Sequence, residues 1–248
     1  MQENEKTRLD KISKDSWYAK GANVATILYS AEIFKRHWQS PSCLEMGAAE
    51  GIMTEILSQS FEDLTIVEGA KPFCLDLEKR FPKAHIVNKL FEDFSPEKKF
   101  NTIILGHVLE HVEKPVEILK KTKTWLAPEG VICAAVPNAR SLHRQAAVIM
   151  GLFESEYSLN EADIHHGHRR VYSPETFRAD FISAGLKIQH FGGYWLKPLS
   201  NPQIEQYWNE NMLNSFMQLG IHPTPPVFKT VREIFKLTRL LGLACPLC

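Results

Sequence analysis

The chain has 248 residues, 44% of them hydrophobic and 23% charged, which is enough for one large domain with a substantial core. Its 29 basic and 29 acidic residues cancel, so nothing in the charge balance asks for a nucleic-acid partner. No apolar run approaches the roughly 18–20 residues of a membrane span, and the opening Met-Gln-Glu-Asn-Glu-Lys is too polar for a signal peptide, so a cytoplasmic protein is expected.

In chain order, the first dozen residues are charged and expected to fray. Ile27, Leu28, Ala31 and Phe34 fall on one face of a helix over about 21–38. Trp17 and Tyr18 before it either pack on the core or belong to a lid, which with the helix would make an N-terminal arm over 1–38. Short apolar runs then alternate with amphipathic segments. The predicted strands are a first at 42–46, then 64–67, 85–87, 102–105, 131–136 and 186–191. The predicted helices start after Gly51, at Pro72, at Pro115 and at Pro174, and Pro128-Glu129-Gly130 reads as a turn. Near-continuous apolar strands separated by helices imply an α/β, Rossmann-like doubly wound, mostly parallel sheet with helices on both faces. The core is expected over 39–200, with helical insertions and a long insertion at 139–173. A helical extension at 201–248 begins with a helix at about 199–219 and ends in a basic amphipathic helix at 227–241. That last helix packs on the core, meets a second copy in a homodimer, or touches a membrane surface. Cys43, Cys74 and Cys133 sit in apolar runs as buried thiols. Cys245-x-x-Cys248 is either a tail end or a lone metal or redox pair.

The chemistry starts at Ser42–Thr54, where an apolar strand turns through Gly47 and Gly51 into a helix. Such a corner brings backbone close to a ligand and offers it the free N–H groups of a helix start. The spacing is Glu45-x-Gly47-x-Ala49-x-Gly51 rather than the G-x-G-x-x-G of dinucleotide sites. Seventeen residues on, Glu68 closes the second strand, where a carboxylate can accept hydrogen bonds from ribose hydroxyls. Leu90-Phe-Glu-Asp-Phe94 follows the third strand and Gly106-His-Val-Leu-Glu-His111 the fourth.

Together these segments resemble the class I S-adenosylmethionine (SAM)-dependent methyltransferases, in particular bacterial enzymes of small metabolites and saccharide precursors. Their first motif is E/D-x-G-x-G-x-G, and Ala49 departs from it. The resemblance covers about 40–190 and implies SAM as cofactor and S-adenosyl-L-homocysteine (SAH) as product. It implies a cofactor site of Glu45, Gly47, Ala48, Ala49, Gly51, Ile52, Glu68, Gly69, Gly106 and His107, with Phe91 and Glu92 or Asp93 at the adenine. His107 should face the methyl, either as a base or as an orienting group. If its turn is helical, His111 shares its face. In the insertion, His165, His166 and His168 lack an obvious third ligand, so no metal is expected. His165 and His168 join His107 and His111 as candidate catalytic histidines. Tyr18, Asn138, Arg144, His165, Arg169, Arg170 and Lys197 are candidate substrate ligands. The arginines either grip an anionic small molecule or hold the loop through Glu156, Glu161 or Asp163. Methyl transfer to O or N of a small polar, anionic metabolite is the leading expectation. An NAD-type oxidoreductase and a non-catalytic SAM-binding regulator are its rivals.

Overall fold

The computed structural model describes residues 5–16, 18–194 and 199–207. Five strands form one sheet: β1 Ser42–Met46, β2 Asp63–Glu68, β3 His85–Asn88, β4 Phe100–Gly106 and β5 Leu126–Ala135. All neighbours are parallel, in the order β3-β2-β1-β4-β5. The chain winds outward from β1 to β3, then returns to β4 on the other side of β1. The crevice for a ligand therefore opens at the carboxyl ends of β1 and β4.

Side-chain alternation along the strands builds two cores. Leu44, Met46, Ile103 and Leu105 point to one face, where Ile118 and Leu119 of α5 (Pro115–Thr124) and Phe177 and Phe181 of α8 (Pro174–Ser183) cover them. Cys43, Ile66 and Ile104 point to the other. That face is covered by Ala31 and Phe34 of α2 (Gly21–Phe34), Met53 and Leu57 of α3 (Ile52–Ser60) and Leu77 of α4 (Lys71–Arg80). Each such aliphatic side chain contributes about 1.5–3 kcal/mol on burial, so strands covered on both faces need the continuous apolar runs seen in the sequence. Among the described residues, no helix is long and apolar enough to cross a membrane.

Four expectations are corrected. Residues 5–14 do not fray but form α1 (Glu5–Lys14), which buries no residue of its own. It is tied down from outside: the Lys71 N–H donates to Asp10 Oδ1 (3.0 Å), and Leu9 lies where a Cβ on Gly69 would be, 2.5 Å from its Cδ1. The sixth strand at 186–191 is not formed; Leu186 folds back onto the core beside Phe181 and the backbone joins no ladder. Pro128-Glu129-Gly130 lies inside β5 as a bulge, between the pairs Phe100↔Leu126 and Thr102↔Val131. Glu129 has φ +60°, and a Cβ on Gly130 would come within 2.9 Å of the Phe100 carbonyl oxygen. Finally, α2 ends at Phe34 rather than 38, continuing as a turn.

The insertion holds α6 (Leu142–Ile149) and α7 (Glu161–His165), and α9 (Asn201–Tyr207) begins the expected extra helix. The rest of that helix, the basic segment at 227–241, Trp17 and Lys197 lie outside the described residues. So do 195 and 196 of the segment 193–196, where a seventh strand was one option.

Candidate active site

A cavity of about 1070 Å³ opens at the carboxyl ends of β1, β2 and β4. Three residues of the β1–α3 turn take left-handed backbone: Gly47 (φ +74°), Ala49 (φ +46°) and Gly51 (φ +78°). Gly51 has to be glycine on two counts, since a Cβ there would also sit 2.8 Å from Leu77 Cδ2. A Cβ on Gly47 would fill the crevice, 3.3 Å from Val108 Cγ2 and 3.4 Å from Phe91 Cζ. Ala49 adopts the same region with a methyl, at a cost of about 1–2 kcal/mol. Its N–H donates to Glu68 Oε2 (3.1 Å), which holds it there. Ala49→Gly should therefore raise the thermal midpoint by a few degrees and leave SAH affinity equal or tighter; a lower midpoint would mean that the turn is not strained.

The two acids differ. Glu45 is buried beneath the turn, and burial pushes its pKa up to about 7 against the Thr54 hydroxyl that donates to it (2.7 Å). Glu68 faces the cavity. Burial raises its pKa as well, opposed by the N–H groups of Ala70 (to Oε1, 2.8 Å), Ala49 and Gly69. A carboxylate has about four acceptor positions, so Glu68 retains a lone pair for a ligand hydroxyl. Ala48, Ile52, Gly69, Gly106, Phe91 and Glu92 complete this wall, while Asp93 is exposed outside the cavity and Gly51 shapes the turn from behind. Bare glycine backbone, an acid with a spare lone pair and an aromatic ring fit a nucleoside.

Beyond Gly106 the chain makes a turn, not a helix, with the His111 N–H on the Val108 carbonyl (3.0 Å). His107 is left-handed (φ +61°), so its ring and that of His111 do not share a face but flank Glu110. His107 Nε2 lies 3.2 Å from both the Ser30 Oγ and the Tyr194 hydroxyl, which are 2.7 Å apart. Its Nδ1 is 3.6 Å from Glu110 Oε1. Sequence reasoning missed Ser30 in this role. Its signal was a polar side chain on the apolar face of α2, and it is fully buried. His111 packs edge-on to His168 and near Tyr18, whose hydroxyl is 3.4 Å from Nε2 and donates to the His166 carbonyl (2.9 Å). Burial pushes the His111 pKa down to about 4, so the ring is uncharged at neutral pH.

The insertion separates the remaining candidates. Arg144 is turned inward, paired with Asp163 (3.2 Å) and donating to the Glu156 and Ser158 carbonyls, so its guanidinium serves the insertion itself. His165 is carried out of the cavity to the Asp15 carbonyl (2.9 Å) at the end of α1. Arg170 likewise lies outside, donating to the Glu113 carbonyl (3.0 Å). Arg169 does line the cavity, donating to the His111 carbonyl (2.8 Å) and Glu5 (3.0 Å), as do Tyr18, Asn138 and His168.

A family model described as a methyltransferase domain matches residues 22–190, most of the described chain. The protein belongs to this methyltransferase family. The nicotinamide alternative falls with that match, and the methyltransferase takes SAM as its cofactor. Among similar proteins, a ubiquinone biosynthesis O-methyltransferase of Actinobacillus pleuropneumoniae serotype 7 (strain AP76) is 26% identical over 181 residues, 68% of this chain and 73% of the relative. One of the same name from Rickettsia bellii (strain OSU 85-389) is 20% identical over 78% of this chain and 85% of its own. The fold is shared with the plantazolicin methyltransferase BpumL in complex with SAH (TM-score 0.57, 20% identity, 84% of each chain). It is shared too with the DhpI–SAH complex (TM-score 0.52, 14% identity, 73% of this chain and 85% of that one).

Proposed function

We propose that this methyltransferase methylates a hydroxyl oxygen of a small, polar, anionic acceptor, with His107 as general base. The observation that carries this reading is the cradle of His107 Nε2, Ser30 Oγ and the Tyr194 hydroxyl beyond β4. His107 and Tyr194 line the cavity, Ser30 is buried behind them with its hydroxyl donating to the Thr26 carbonyl (2.9 Å), and imidazole is the side chain most often used as a general base. SAM supplies a methyl on a cationic sulfur, which departs as a neutral thioether. The chain's task is to align the acceptor oxygen, accept its proton on Nε2 and keep water out. Glu110 faces Nδ1 and steadies the imidazolium that forms, while α1 and Tyr18 cover the cavity.

The relatives named O-methyltransferase favour oxygen over nitrogen. An anionic acceptor suits Arg8 and Arg169, both in the cavity wall and both paired with Glu5, a side chain that an incoming carboxylate can displace. The direct test is SAH release from SAM across matched hydroxy acids, their O-methyl ethers and amino analogues. Turnover should need the free hydroxyl, and activity confined to amines would refute the oxygen assignment. With the best hydroxy acid, Arg169→Ala should raise KM about tenfold at little cost in kcat, the loss of one charge-assisted contact. An unchanged KM would leave Arg169 the loop-holding role alone.

A further inference from the structure

We propose that Glu110, His111 and His168 form a binding site for one divalent transition-metal ion in the cavity wall, beside the His107 cradle. Glu110 and His111 come from the turn after β4, and His168 from the insertion 57 residues beyond His111. The insertion is stitched to that turn by two hydrogen bonds, from the Arg169 N–H to the Glu110 carbonyl (2.8 Å) and from Arg169 Nε to the His111 carbonyl (2.8 Å). One ligand atom from each of the three side chains then lies within 4.8 Å of the others.

Two independent observations point to a cation here. The first is Glu110. It is 0% exposed, yet neither carboxylate oxygen has a hydrogen-bond partner, and His107 Nδ1 at 3.6 Å is too distant to be one. A buried carboxylate without a hydrogen bond is costly, and such groups normally gain one or bind a metal. The second is the support behind His168. Its Nδ1 is 3.0 Å from Asp163 Oδ1, and Asp163 is fixed in turn by Arg144 and by the Asn160 capping box. Carboxylate behind imidazole is the usual outer support of a metal-ligating histidine, fixing the ring and presenting Nε2. No other part of the molecule described above needs His168 held so firmly.

One carboxylate and two imidazoles suit zinc, cobalt(II) or manganese(II) rather than calcium or magnesium. Metal–ligand bonds of about 2.0–2.2 Å require the three side chains to close in from their present spacing. Three protein ligands leave a position open towards the cavity, which all three residues line. That position can take an acceptor oxygen. This last step rests on the hydroxyl-acceptor reading; the metal site itself does not.

The test uses cobalt(II), added to the full chain after treatment with a chelator, with calorimetry and visible absorption as readouts. One ion per chain should bind, with a ligand-field spectrum lacking thiolate-to-cobalt charge transfer. Glu110→Gln and His168→Ala should each weaken binding at least tenfold and leave SAH affinity within threefold. His85→Ala, exposed on β3 and remote, should bind cobalt like the parent. The proposal is overturned by no uptake, by parental affinity in both Glu110→Gln and His168→Ala, or by a charge-transfer band that disappears with Cys245→Ser and Cys248→Ser. If either variant also loses SAH binding, X-ray absorption at the cobalt edge of the parent decides. Two imidazole scatterers support the site, and fewer overturn it. Because no acceptor is present in these measurements, their failure is distinct from failure of the hydroxyl-acceptor assignment.

Discussion

His107→Ala should lower kcat by about 10²–10⁴-fold, the range expected for loss of a general base, and leave SAH affinity within a few-fold. The side chain leaves the backbone at φ +61° and reaches Ser30 and Tyr194, so truncation removes the proton acceptor from the cradle and little from the nucleoside wall. His107→Asn is the sharper variant. Asparagine tolerates left-handed backbone better than alanine, and its amide can hydrogen-bond a hydroxyl but cannot take its proton. Both variants should lower turnover to a similar extent, because neither side chain can accept the proton of the acceptor hydroxyl. Parental turnover in His107→Asn would remove His107 as base and shift attention to Tyr194.

Glu68→Ala should weaken SAM and SAH binding by about 100-fold or more, equivalent to about 2.7 kcal/mol. The carboxylate accepts from Ala49 and Ala70 and lines the cavity at the end of β2. Removing it leaves the amide groups of Ala49, Ala70 and Gly69 without this acceptor, at about 1–3 kcal/mol each. It also removes a carboxylate whose pKa burial has raised, a charge the folded protein tolerates poorly. The two effects on stability oppose each other, so the thermal midpoint should move much less than ligand affinity. Calorimetry and thermal melting on the same preparation separate them. Unchanged SAH affinity would show that the β2 acid does not meet the cofactor.

The cofactor side was far more legible in the sequence than the acceptor side, and the reason is distance along the chain. The β1–α3 corner is a local problem. An apolar strand, glycines where φ must be positive and an acid one strand further on are written within 27 residues, Ser42 to Glu68. The acceptor side is assembled from afar: Ser30 and His107 are 77 residues apart, Ser30 and Tyr194 are 164. Residues 186–191 misled because they alternate as a strand does, while the packing of Leu186 beside Phe181 decides their path. The helix at 5–14 was missed for the opposite reason, since its anchors are Lys71, Gly167 and Arg169, not an apolar face of its own. The neighbours of His168 could not be read from the insertion because Glu110 and His111, which it meets, lie in the turn after β4.

The bond from Ala49 to Glu68 has a consequence for how tightly a nucleoside can be held. The β1–α3 turn is locked onto the acid of the next strand before any guest arrives, so docking need not freeze a floppy loop. The entropy of shaping that half of the site was surrendered when the chain folded. What the guest gains from touching it is thereby kept as affinity.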